Sequence, residues 1–167
     1  MKELLNQYAG YNLWANEKLL TVALALTDEQ QQQVMETSFS SMHKTFLHIW
    51  DAESAWWQRI KLQENIIVPS VALNPSMQET AKGLLNQSRD WKEWVENSKE
   101  YMLLHEFKYY NTKREPFTNP IWQTLQHVFN HGTYHRGQVV AILHHLKVEK
   151  IPATDFIAYM RLQNGKK

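Results

Sequence analysis

The sequence predicts an all-α protein, an antiparallel four-helix bundle with a short extra C-terminal helix. Three observations carry this expectation. Prolines 69, 75, 116, 120 and 152 leave three long proline-free windows, and proline inside a helix removes a backbone donor and clashes with the preceding turn. Within those windows apolar residues recur at steps of three and four. The chain has 167 residues, 43% of them hydrophobic, enough to bury roughly 70% of the unfolded surface in one core. Residues 1–167 are therefore expected to form one domain that needs no metal or disulfide staple to fold.

The elements follow in order. Leu4, Tyr8, Tyr11, Ala15, Leu19, Val22 and Leu26 line one face of a helix over residues 2–26. Thr27-Asp28-Glu29-Gln30 is a capping box that opens a short polar turn or helix. A second long helix is expected from Ser40 or Ser41 to about Gln63. Asn74-Pro75-Ser76 offers an N-cap followed by proline at the first helical position, opening a third helix to about Met102. Residues 103–118 are rich in aromatics and turn formers and suit a short hairpin. Asn119-Pro120 repeats the cap-plus-proline device and starts a fourth helix to about Leu146. Thr154-Asp155 caps a last short helix. Internal repeats and low-complexity segments are absent from the sequence.

Composition removes several function classes. The chain has no cysteine, which excludes disulfide scaffolds, thiolate zinc sites, iron–sulfur clusters and cysteine nucleophiles. Lys+Arg 18 against Asp+Glu 17 leaves a net charge of +1, so the counterion-release drive of a nucleic-acid binder is missing. Neither GxGxxG nor GxxxxGK[ST] occurs, which argues against a glycine phosphate cradle. The first twenty residues lack the apolar core of a signal peptide, and no apolar run approaches 18 residues. A cytoplasmic protein with no membrane partner is expected. The anomaly is seven Trp and eight His in so short a chain.

The fourth helix places two of those histidines together. At 100° per residue, Ile121, Leu125, Val128, Gly132, Val139, Ile142 and Leu146 form a core stripe. His135 lies near its centre, His131 at its edge and His127 further round. His131 and His135 thus stand one turn apart and face inward, the spacing by which one helix offers two imidazoles to one metal. Two readings stand side by side: hydrogen-bonded core histidines, or ligands sharing one ion. The segment His131-Gly132-Thr133-Tyr134-His135 lacks the glutamate of zinc proteases, so it does not read as a peptidase. Gly132 costs about 1 kcal/mol in a helix interior, which implies close approach by a neighbouring helix or a ligand.

On the second helix Met42, Phe46, Ile49, Glu53, Trp56 and Ile60 make the inward stripe, with Glu53 its one polar member. His48 sits on the flank beside Ala52 and Ala55, and the wheel leaves it open between a half-exposed polar residue and a third ligand. His43, His105, His144 and His145 read as surface or capping residues.

Four segments resemble the DinB/YfiT-like family of metal-dependent enzymes. Leu125–Leu146 (LQHVFNHGTYHRGQVVAILHHL) is similar to that family's H-x-x-N-H-x-x-x-H-R-G-Q signature. YNLWANEKLL, FLHIWDAESAWWQRI and PATDFIAYMR support it by order and spacing. The resemblance implies a four-helix bundle that holds a divalent ion on His48, His131 and His135; His127 also matches a position often occupied by histidine in that family, but its angle on the helix argues for a place behind the ligands. It also implies a homodimer.

Three neutral imidazoles on Zn²⁺ or Ni²⁺ leave an open position, as catalytic sites do. The expected activities are metal-dependent hydrolysis of a small molecule, or transfer to a low-molecular-weight thiol as in some relatives. The alternative is a noncatalytic metal-binding or small-ligand-binding dimer, or a scaffold with vestigial histidines. Glu53 is the candidate general base or acceptor for an imidazole N–H, set against a buried carboxylate paired with Arg136. Asp51 is expected to point away. Arg59, on the flank of His48, reads either as an attractor for an anionic substrate or as a solvated surface residue. Asn12, Trp14 and Asn16 are placed at the site by the resemblance. For Trp14, Trp50, Trp56 and Trp57, core packing is the preferred reading.

Overall fold

The computed structural model describes residues 1–165. Four long helices form the bundle: α1 (Lys2–Leu24), α3 (Met42–Ile60), α5 (Met77–Asn97) and α7 (Ile121–His145). Around them lie the short helices α2 (Asp28–Gln32), α4 (Pro69–Ala72), α6 (Glu100–Leu104) and α8 (Phe156–Asn164), and the strands β1 (Glu106–Tyr110) and β2 (Pro116–Pro120). The expected bundle, its extra C-terminal helix and the hairpin are all present. None of the described helices is long and apolar enough to cross a membrane.

Local chemistry accounts for most boundaries. Thr27 and Gln30 form the reciprocal capping box at α2, and the Ser41 hydroxyl accepts from the Lys44 amide to open α3. Two expected caps are corrected. Ser76, not Asn74, caps α5, because its hydroxyl reaches the Glu79 amide while Glu79 returns to the Ser76 backbone. Asn119 lies inside β2, where its side chain accepts from Tyr109 Oη and donates to Gln123. The third helix also ends earlier than expected, at Asn97. The Ser98 hydroxyl donates to the Trp94 carbonyl at 2.6 Å, Ser98 turns extended, and α6 follows as a separate turn.

Two apolar clusters fill the bundle, and together they give the helix directions. One joins Leu19 and Leu20 of α1, Phe46 and Ile49 of α3, Met77 and Leu84 of α5, and Val139 and Ile142 of α7. The other joins Leu5 and Ala9 of α1, Trp91 and Val95 of α5, and Leu125 and Val128 of α7, with Trp56 and Ile60 of α3 packed against it. So α1 and α7 run one way, and α3 and α5 the other. The bundle holds two helices in each direction, but α3 and α5, consecutive long helices, run the same way. The segment 61–76, which contains α4, returns along the length of the bundle before α5 begins.

The tryptophans pack less centrally than expected. Trp14, Trp50, Trp56 and Trp57 are all half-buried, whereas Trp91 is fully buried. Trp57 and Trp94 meet Trp91 edge to face at 4.9 and 6.2 Å between centroids, a favoured arrangement for aromatic rings.

Candidate metal centre

Antiparallel packing of α3 against α7 brings three imidazoles together. His48 Nε2 and His135 Nε2 each lie 3.1 Å from His131 Nε2, and a ring nitrogen of each histidine lies within 4.8 Å of the other two. The order expected on the fourth helix holds: His135 is buried, His131 half-buried and His127 exposed. His48, which the wheel left open, turns its ring into the cluster.

The nitrogens can be tested as ligands. Two imidazoles at ~2.0–2.1 Å from one ion stand about 2.9 Å apart at a right angle and about 3.4 Å apart at the tetrahedral angle. The observed 3.1 Å falls between these limits. Protonation does not explain the cluster, because His48 and His131 are both lowered to about 4, by burial first and then by the proximity of His135. The tautomer of His135 points the same way. Gln138 Nε2 donates to Ser38 Oγ at 3.0 Å, leaving Gln138 Oε1 to accept from His135 Nδ1 at 2.8 Å. Nδ1 is thus the donor in that bond, and Nε2 is turned to the cluster. These residues fit a divalent ion.

Two residues at this centre were not singled out from the sequence. Gln138 had a visible signal, since i,i+3 places it against His135 on one helix face. Phe39 had none. It lies in the loop between α2 and α3, where Ser40 adopts a φ of 46°. Its ring stacks on His48 at 3.8 Å between centroids and meets His135 edge-on at 5.3 Å.

Glu53 belongs to a second cluster. It is buried, and its carboxylate accepts from Asn12 Nδ2 (2.8 Å), Asn16 Nδ2 (3.3 Å) and Ser88 Oγ (2.9 Å). None of these partners is an imidazole. Arg136 donates to the Oδ1 atoms of Asn12 (2.7 Å) and Asn16 (3.0 Å), and to Thr133 Oγ1 (2.9 Å). Two amides thus separate the carboxylate from the guanidinium, donors turned to the anion and acceptors to the cation. Burial pushes the Glu53 carboxyl up to about 7, while the Asn12 and Ser88 donors and the Arg136 charge pull it back. Asn12 and Asn16 act in this network. Trp14 packs with Tyr11 and Tyr159.

The other histidines sort cleanly. His43, expected at the surface or at a cap, is buried, with ring nitrogens 2.7 Å from Gln32 Nε2 and 3.0 Å from Thr80 Oγ1. Those bonds tie α2, α3 and α5. His105, His144 and His145 are exposed. Asp51 accepts from the Ser70 amide at 2.9 Å and so holds α4. Arg59 is half-buried, and its guanidinium lies over the Trp56 ring at 4.6 Å.

Comparison with known proteins places the chain in a family. Protein DinB of Bacillus subtilis (strain 168) is similar to the chain, with 25% identity over 166 residues covering 94% of each protein. The sequence model described as DinB family matches residues 1–167, a span that includes all three clustered histidines. On that match, the chain belongs to the DinB family.

Proposed function

We propose that the chain holds a divalent metal ion, zinc or nickel, on His48, His131 and His135. On this reading it acts on a small molecule, as a metal-dependent hydrolase or as a transferase that uses a low-molecular-weight thiol, and it works as a homodimer. The observation that supports the reading is the pair of 3.1 Å contacts joining the three Nε2 atoms. Three protein ligands are fewer than a closed structural site requires, so one position is left for a reactant. When bound, such an ion supplies the Lewis acidity that lowers the pKa of a water or thiol. The chain supplies the rest. Gln138 holds the His135 tautomer, Phe39 covers one face of the His48 ring, and Ser38 anchors that loop to Gln138.

Elemental analysis of tag-free protein after dialysis tests the assignment. His48→Ala, His131→Ala and His135→Ala are expected to be metal-free. His127→Ala is expected to keep most of its metal, because that ring is 5.8 Å from His131 between centroids and lies outside the cluster. A fully loaded His48→Ala beside a metal-free His127→Ala would move the third ligand off α3. A screen of low-molecular-weight thiols against electrophiles then separates transferase from hydrolase.

A further inference from the structure

Arg59 is a cation without an anion. Its guanidinium is held over Trp56 at 4.6 Å, and its Nε is buried with no hydrogen-bond partner. The ion pairs among the described residues are Met1 with Glu100 and Lys92 with Glu96, so no acidic group answers Arg59. A buried donor left unmatched is unfavourable, and such groups are uncommon unless a ligand or water serves them.

Its position relates it to the three histidines. Arg59 follows His48 by eleven residues on α3, roughly 16 Å of helix. Its side chain turns back towards the N-terminus of α3 to reach Trp56, which shortens that separation. Trp56 meets His127 edge-on at 5.3 Å and Tyr109 of the hairpin at 5.0 Å. His127 in turn stands 5.8 Å from His131. The contacting rings of Trp56 and His127 therefore link the guanidinium to the histidine cluster.

We propose that Arg59 receives a carboxylate carried by the small molecule on which the three-histidine centre acts, one end at the histidines and the other on the guanidinium. The proposal rests on the metal-centre reading above. A guanidinium matches a carboxylate in paired parallel hydrogen bonds. The single charge favours a carboxylate over a phosphate monoester, which would draw a second cation. The nearby Lys61 is engaged over Trp57 and Trp94, at 4.7 and 5.7 Å.

The test compares 6-mercaptohexanoate with 6-mercaptohexanol, and shorter and longer homologues, by isothermal titration of the metal-loaded full chain. The acid is expected to bind at least tenfold more tightly than the alcohol, with an optimum chain length. Arg59→Met is expected to erase that preference while keeping its metal and its alcohol affinity, and Arg59→Lys to keep part of it. No preference in the parent protein, or an unchanged preference in Arg59→Met, would overturn the proposal. A second arm separates its failure from failure of the metal centre. Hexanoate and hexanol, which carry no thiol, are titrated while the Trp56 indole N–H is followed by NMR. A shift with hexanoate alone, lost in Arg59→Met, supports the anchor whether or not metal binds; no such shift refutes it.

Discussion

Replacing Gly132 with alanine introduces a methyl group where two hydrogen-bonded atoms already meet. The new Cβ would lie 2.9 Å from Arg136 Nη1 and 2.9 Å from Asn12 Oδ1, which are themselves bonded at 2.7 Å. Each must retreat by roughly 0.5 Å to regain normal contact. A free arginine tip would yield cheaply, but this one is pinned by Asn12, Asn16 and Thr133. Alanine gains about 1 kcal/mol of helix propensity. Against that stand a weakened charged hydrogen bond, about 1.5–3 kcal/mol, and overpacking, about 1–3 kcal/mol. The net expectation is destabilisation by about 1.5–5 kcal/mol, a fall in Tm of roughly 3–20 °C for a chain of this size. Gly137 is the control on the same helix. A Cβ there meets nothing within 4 Å, so Gly137→Ala is expected to stabilise by up to about 1 kcal/mol. Urea and thermal unfolding followed at 222 nm in the presence of EDTA measure both. If Gly132→Ala stabilised the protein as much as Gly137→Ala, the close-approach argument would be wrong.

Gln138→Leu is expected to weaken metal binding about 10–100-fold by freeing the His135 tautomer, read by competition with a chromogenic chelator. Chelation is expected to lower the urea midpoint without unfolding the helices, since metal at a hundredfold excess over Kd adds about 2.7 kcal/mol to a core that is already filled; loss of the circular dichroism signal on chelation would make the site structural. Metal-free protein is expected to lose stability as pH falls from 6.5 towards about 4, because folded His48 and His131 refuse protons that the unfolded chain accepts. Glu53 opposes this, since its carboxyl, raised to about 7, takes up a proton in the folded state over an overlapping window. Glu53→Gln should therefore steepen the loss of stability on acidification between pH 7 and 4.5, and a profile parallel to the parent's would show that Glu53 stays ionised.

Periodicity and the positions of the prolines placed every long helix to within a few residues, except at the end of α5, because those signals are local. The direction of α5 was not legible. It depends on whether residues 61–76 return along the bundle, and no spacing in that segment encodes the choice. Nor could two adjacent cap candidates be ranked: Asn74 and Ser76 flank the same proline, and only the reach of Ser76 to Glu79 decides between them. At the site, the wheel pointed His131 and His135 inward, whereas His48, on the flank of its stripe, needed the family resemblance. The Glu53–Arg136 pairing weighed from the sequence is mediated rather than direct, because Asn12 and Asn16 enter from a third helix. Phe39 stayed hidden because a loop residue has no period to betray it.

The amide bridge between Glu53 and Arg136 has a geometric consequence for the histidines. Arg136 follows His135 directly on α7, and Glu53 follows His48 by five residues on α3. Both ends are gripped by Asn12 and Asn16 of α1, at bonds of 2.7–3.3 Å. Sliding α7 along α3 by a single residue would shift Arg136 by about 1.5 Å and turn it by about 100°, breaking every bond it makes to α1. The axial register of α3 against α7 is thereby set from outside the cluster, and the spacing of His48 from His131 and His135 is inherited from it. The three rings are preorganised by a polar clamp that an ion does not have to assemble.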